Sequence, residues 1–422
     1  MGSDRETRLL ATIQATMQAG VDAGVIRVRI SDDELSGTNI RVNGRDLVNF
    51  GSCSYLGLGQ DPRLKEAASS AIRRFGPSYS SSVAYASIDL YTHLETRLME
   101  MFDGHSVIPA PTTTLAHLAA LPVLVSRNDL VVIDIRAHAS LHLAADVLRG
   151  RGIQVKVVRH SDIKGLRATL TKMAPNYEKV WYLLDGVYSM FGDVAPVGEI
   201  DRLMDEFDNL FVYYDDAHGF GWAGPNGVGY VLENTKLSDR MILAVSLSKS
   251  FGAGGAALVV GDPELARTII LMGGTLTFGG PIHPGVLGAA VRSADLHLSS
   301  EHAERQTLLY ERIDLVNRLV VELGLPVPSL DRTPITFVRV GTPENVIRMT
   351  KIMMTNGHFL NAAGYPAVPL REGGVRFTVT ASHSLAEIET MIFTLAEYIN
   401  LPDVIDLTDE STDLIAAGQT SV

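Results

Sequence analysis

A chain of 422 residues, 46% hydrophobic and 20% charged, is long enough for two or three domains and has the composition of an ordinary globular protein. Its 48 acidic against 36 basic residues leave a net charge of -12, which argues against a nucleic-acid backbone or an anionic membrane surface as the main partner. Cys53 is the only cysteine, so an intrachain disulfide and a cysteine-rich zinc site are both excluded.

The N-terminus carries Asp4, Arg5, Glu6 and Arg8 and lacks the continuous apolar core of a signal peptide. No later apolar run approaches the roughly 18 residues that a membrane span needs, so no span is expected and the cytoplasm is the expected compartment. Leu9, Ile13, Met17 and Val21 recur at spacing four, the apolar stripe of a helix that packs on a larger body or a second subunit. Ile26, Val28 and Ile30 then alternate as in a strand. Asn43-Gly44, set between Ile40–Val42 and Leu47–Phe50, is a two-residue hairpin signal. A glycine-punctuated loop, Gly51 to Gly59, leads into a helix predicted over Pro62–Phe75.

From about Val107 to Gly261 short apolar strands alternate with helical stretches. The strands are Leu130–Ile135, Val155–Val158, Val180–Leu184, Leu210–Tyr214, Met241–Leu247 and Ala256–Val260. This pattern predicts the α/β class, with a mainly parallel wound sheet covered by helices. One long helical stretch from about Pro284 to Leu323 is expected to bridge to a smaller α+β C-terminal domain. There Ile335–Val340 and Val375–Thr380 read as strands, and Glu344–Asn356 and Leu385–Ile399 as helices. The expected division is an N-terminal helix and hairpin (1–50), a large domain (51–290), a small domain (291–400) and a loose tail (401–422).

Chemistry concentrates where predicted strands end. Lys249 follows the apolar run Met241–Leu247 and is itself followed by Gly252, Gly254 and Gly255, so a partly desolvated amine stands at a sharp turn. Such a lysine forms a Schiff base with a carbonyl cofactor. Asp215 and His218 sit at the end of Leu210–Tyr214, and ligands of open α/β sheets bind outside the carboxyl ends of the strands. An acid, an imidazole and a lysine converging there suit pyridoxal 5′-phosphate, whose ring nitrogen is kept protonated by a carboxylate and whose aldehyde is held by a lysine. Thr112, Thr113 and Thr114 open a helix whose free amides make a phosphate seat. His138 lies just past a strand end, and Ser189 follows another. The same residue types also serve structural ends: Asp215 as a helix cap, the threonines as an N-cap and Arg376 as a strand-edge charge.

Taken together these residues resemble the α-oxoamine synthase family of fold-type I pyridoxal phosphate enzymes. The matching pieces are Tyr55-Leu56-Gly57-Leu58, Leu94-Glu95, His138-Ala139-Ser140, Gly186-Val187-Tyr188-Ser189-Met190, Asp215-Asp216-Ala217-His218-Gly219, Ser248-Lys249, Tyr365 to Pro369 and Arg376 to His383. They fall in the family's order over roughly residues 45 to 400. The resemblance implies a fold-type I transferase that condenses an amino acid with an acyl thioester, on coenzyme A or a carrier protein, with loss of carbon dioxide. It implies catalytic roles for Lys249, His138 and His218. Lys249 would hold the cofactor, Asp215 would pair with the ring nitrogen and His138 would stack on the ring. His218 and Ser189 would bond the phenolic oxygen, and Ser246, Thr113 and Thr114 would stand near the phosphate. Arg376 and Cys53 would meet the amino acid. A homodimer with active sites at the interface is implied as well.

The sequence also departs from the family's pattern. Cys53 replaces an asparagine, Phe191 an aspartate after Ser-Met, and Ser80 to Val83 lacks a nearby arginine. Gly279 and Gly280 stand where members present hydroxyls to the other subunit's phosphate and would offer only backbone amides. These changes mark a divergent branch. An aminotransferase or lyase on the same fold and a catalytically silent partner subunit are the competing readings.

Overall fold

The computed structural model describes residues 2–35, 37–399 and 401. The expected tail lies outside the described residues, apart from Leu401. A hairpin, β1 (Asn39–Val42) and β2 (Arg45–Asn49), precedes a sheet of seven strands. In chain order these are β3 (Ser106–Ala110), β4 (Leu130–Asp134), β5 (Gln154–Val158), β6 (Val180–Asp185), β7 (Leu210–Asp215), β8 (Met241–Ser246) and β9 (Ala256–Val260). Their order in space is β3-β9-β8-β7-β6-β4-β5, parallel from β5 through β8 and antiparallel on both sides of β9.

The strands from β4 to β9, β5 excepted, are buried almost throughout because helices cover both faces, which is why they read as continuous apolar runs. Alternate residues enter two separate cores. Tyr182, Tyr214 and Leu243 face one, with Phe220 and Phe251; Trp181, Tyr213 and Ile242 face the other, with Leu121 and Leu141. Each such side chain, fully buried, contributes about 1.5–3 kcal/mol.

The hairpin turns on Asn43 (φ 51°) and Gly44 (φ 76°), the two left-handed residues such a turn requires. The C-terminal part supplies β10 (Ile335–Gly341), β11 (His358–Phe359), β12 (Asn361–Ala363) and β13 (Gly373–Thr378). β11 adds in parallel to β2, while β10, β13 and β12 form an antiparallel sheet. A third core joins Phe50, Tyr55 and Leu56 to Phe377, Ile388 and Leu395, so the loop after the hairpin is held by the C-terminal part.

Two expectations are corrected. The helical stretch after Pro284 is two helices, Pro284–His297 and Ser300–Glu322, broken at Leu298-Ser299. His297 and His302 flank the break and both bond the carbonyl of Gly221, at 3.1 and 3.0 Å, which holds the chain in its bend. Ile26 and Val28 lie in no strand, and Ile30 makes one bridge to Val42. They follow the helix Gly2–Asp22 through turns, and Ile26 and Val28 pack beside Val25, Ile40 and Leu47. On that helix Ile13 and Met17 are half-buried, whereas Leu9 and Val21 are exposed.

Candidate active site

The register of the sheet brings the polar strand ends together. Asp185 pairs with Asp215 and Asp215 with Ala244, while Ser246, Ala256 and Ala110 share another row. Thr112 to Thr114 follow that row, and His138 caps the helix Ala139–Gly150 just beyond β4. Lys249 stands three residues past β8, in a turn closed by Gly252 N–H to the Lys249 carbonyl at 3.0 Å and Leu247 N–H to the Gly255 carbonyl at 3.0 Å. Gly252 has φ 74°, and a Cβ there would lie 2.6 Å from Leu58 Cβ, so both backbone shape and space demand glycine.

Lys249 is half-buried, and its side-chain amine makes no hydrogen bond or ion pair among the described residues. Burial lowers its pKa, opposed by the negative charge of Asp215. Asp215 accepts from the Ala217 amide at 3.1 Å and meets His117 Nε2 at 3.1 Å. Burial pushes its carboxyl up, but the hydrogen bond from His117 and the positive charge of Lys249 outweigh this and hold it below its ordinary value. Asp185 goes the other way. Burial and the neighbouring Asp215 raise it, against a bond from the His138 amide at 2.9 Å. Of two adjacent carboxyls, Asp215 carries the charge.

His218 is buried, with Nδ1 2.8 Å from the Tyr55 hydroxyl. Burial and the charges of Lys249 and Arg376 push the imidazole well below its ordinary pKa, and burial pushes the Tyr55 phenol up. The phenol therefore keeps its proton; in the tautomer in which it donates to Nδ1, His218 carries its hydrogen on Nε2 as the free donor. His138 is exposed, and its Nδ1 bonds the Ser140 hydroxyl at 2.6 Å.

Arg376 lies on β13, 7% exposed, yet no carboxylate pairs with it among the described residues. Its Nε donates to the Ser189 carbonyl at 2.6 Å and its Nη2 lies 4.0 Å from Cys53 Sγ. A buried guanidinium without a counter-charge calls for an anion. The Ser189 loop thus supports Arg376 through its backbone. Thr112 is the cap of the helix Thr113–Leu124, accepting from Leu115 N–H at 3.1 Å. Thr113 and Thr114 occupy the first turn, where amides have no intrahelical acceptor. Ser246 ends β8 with its hydroxyl 2.9 Å from that of Ser248. A cavity of about 710 Å³ opens beside Thr112 and Gly255, bounded by Tyr79, Ser82, Phe278 and Gly280.

Three residues received no site role from the sequence: His117, Asp185, and Tyr55, which counted there only as part of a matching motif. His117 shares its helix face with Ala120, Leu121 and Leu124, and a histidine on such a face must find a partner. The donor set fits pyridoxal phosphate on chemical grounds: helix-start amides for a phosphate, an ionised buried carboxylate for a ring nitrogen, and a partnerless amine for an aldehyde.

The sequence profile described as "Aminotransferase class I and II" matches residues 45–395. An 8-amino-7-oxononanoate synthase of Maricaulis maris is 32% identical over 390 residues, 92% of this chain and 95% of that protein. A serine palmitoyltransferase of Sphingobacterium spiritivorum is 28% identical over 358 residues, 84% of this chain and 87% of that protein. The solved structure of a serine palmitoyltransferase from Sphingomonas wittichii shares the fold, with TM-score 0.84 at 23% identity, covering 94% of this chain and 98% of that one. With the profile spanning most of its length, the chain belongs to the aminotransferase class I and II family and, within it, to the α-oxoamine synthases.

Proposed function

We propose that this protein is a pyridoxal phosphate-dependent acyltransferase that condenses an amino acid with an acyl thioester and releases carbon dioxide, giving an α-amino ketone. The carrying observation is the ionised Asp215 beside the Lys249 amine, together with a buried Arg376 that has no carboxylate partner among the described residues. The relatives named as 8-amino-7-oxononanoate synthase and serine palmitoyltransferase support condensation over transamination.

Bound between these groups, the cofactor supplies a carbonyl carbon for the substrate amine and a ring that accepts electron density from the α-carbon. The ionised Asp215 would favour a protonated ring nitrogen, and the exposed imidazole of His138 would offer a flat surface for the ring. The Nε2–H of His218 and the Ser189 hydroxyl orient the phenolic oxygen. First-turn amides of Thr113 and Thr114, with Ser246, hold the phosphate. Arg376, steadied at Nε by Ser189, presents its free nitrogens to the amino-acid carboxylate, and Cys53 lines the same spot. Lys249, with its amine form favoured by burial, moves the proton at the α-carbon. The α-carbon then bonds to the thioester carbonyl carbon as the thiolate leaves; the bond to the carboxylate breaks, carbon dioxide departs, and the α-carbon takes a proton back from Lys249.

The test offers the purified enzyme a panel of amino acids and acyl thioesters. Carbon dioxide and free thiol in equal amounts support condensation, whereas a keto acid formed without thioester means transamination. Absence of both, with no visible absorbance after reconstitution, would mean a silent subunit. We also propose a homodimer, in which Gly279 and Gly280 at the rim of the cavity approach the second site through their amides. A solution mass equal to one active chain overturns that.

A further inference from the structure

Behind Asp215 lies a chain of three side chains with no surface exposure at its inner end. His117 and Tyr213 are both 0% exposed. The His117 ring is held at both nitrogens, Nδ1 at 3.0 Å from the Tyr213 hydroxyl and Nε2 at 3.1 Å from Asp215 Oδ2. Tyr213 stands two residues before Asp215 on β7, and His117 reaches them from the helix Thr113–Leu124, whose first turn forms the candidate phosphate seat. One helix therefore faces both ends of the cofactor site.

The hydrogens in this chain have one consistent direction. An ionised carboxylate only accepts, so His117 Nε2 must carry the hydrogen that Asp215 receives. Burial keeps the Tyr213 phenol protonated, and its oxygen lies 3.0 Å from Nδ1, within reach for donation. We propose that His117 is a positioning residue that keeps Asp215 aimed and ionised, and that Tyr213 sets the ring's orientation by donating to Nδ1. The inference rests on the reading of Asp215 as the partner of the ring nitrogen. Its consequence is that cofactor affinity depends on a histidine and a tyrosine that never touch the cofactor, because each fixes the next group along.

The cofactor-free chain tests the hydrogen-bond direction first. Imidazole ¹⁵N resonances assigned through His117→Gln should show a hydrogen on Nε2, and Tyr213→Phe should shift the Nδ1 resonance. A hydrogen on Nδ1 with none on Nε2 overturns the proposal whether or not the protein takes up pyridoxal phosphate. Binding of pyridoxal phosphate to the same proteins comes next, with folding checked by circular dichroism. His117→Phe, which removes both partners, should weaken binding about 10- to 100-fold, the range of a lost hydrogen bond to a charged group. His117→Gln places an amide N–H near Nε2 and should restore affinity to within about threefold, while Tyr213→Phe should cost about 2- to 10-fold. Equal losses in His117→Phe and His117→Gln would reduce the ring to a packing role and refute the proposal. If His117→Phe does not fold, unchanged affinity in Tyr213→Phe with an unmoved Nδ1 signal refutes it instead. Failure of the wild-type chain to bind pyridoxal phosphate sinks the functional reading alone.

Discussion

Replacing His160 by glutamine should cost stability in a way that depends on pH, and should reach the active site through one loop. His160 lies between two carboxylates, Nδ1 3.1 Å from Asp134 and Nε2 2.5 Å from Asp193, with its side chain 17% exposed. Burial disfavours the imidazolium, but hydrogen bonds and charge from Asp134 and Asp193 win, raising its pKa from 6.5 to about 9. At about 1.4 kcal/mol per unit, that shift from 6.5 to about 9 corresponds to about 3 kcal/mol. Because the folded value is raised, the contribution is complete below the unfolded value of 6.5 and is lost as pH rises through about 9. Asp193 ends the turn that begins at Gly186, closed by Tyr188 N–H to the Asp193 carbonyl at 2.8 Å and Ala195 N–H to the Gly186 carbonyl at 2.9 Å. That turn carries the Ser189 carbonyl that holds Arg376. Denaturant unfolding of wild type and His160→Gln across the pH range should show a gap of about 3 kcal/mol in mild acid that closes in alkali. The KM for the amino acid should rise about 3- to 10-fold at neutral pH, the equivalent of one loosened hydrogen bond. A gap that does not change with pH would refute the assigned charge, and an unchanged KM would refute the link through Ser189.

Lys249→Ala should lower turnover by about 100- to 10,000-fold, the range for a lost proton-transfer group, and borohydride should no longer fix label to the chain. Retention of label on another lysine would overturn the assignment. Arg376→Lys keeps the charge but loses the planar fork, so the amino-acid KM should rise about 10- to 100-fold with a smaller change in kcat. Gly252→Ala forces a side chain into φ 74° against Leu58 and should cost about 2 kcal/mol or more, with activity falling as Lys249 is displaced. A melting temperature equal to wild type would contradict the crowding at that turn.

The sequence alone carried the wound sheet, because strands buried on both faces must be apolar along their length, as Met241–Ser246 is. It carried the hairpin, because Asn43-Gly44 accepts two left-handed residues. It also put Lys249, Asp215 and His218 at or just past strand ends, where the structure has them, the edge at which such sheets bind ligands. It misjudged the stretch after Pro284, where helical periodicity continues through Leu298-Ser299 and the bend is held by contacts to Gly221 from 76 and 81 positions away. Partnership was what only the tertiary structure decided. His117 meets Asp215 across 98 positions, Tyr55 meets His218 across 163 and Arg376 meets the Ser189 carbonyl across 187. Local pattern records which face a side chain occupies, whereas the charge of a buried group depends on which distant group fills the space beside it.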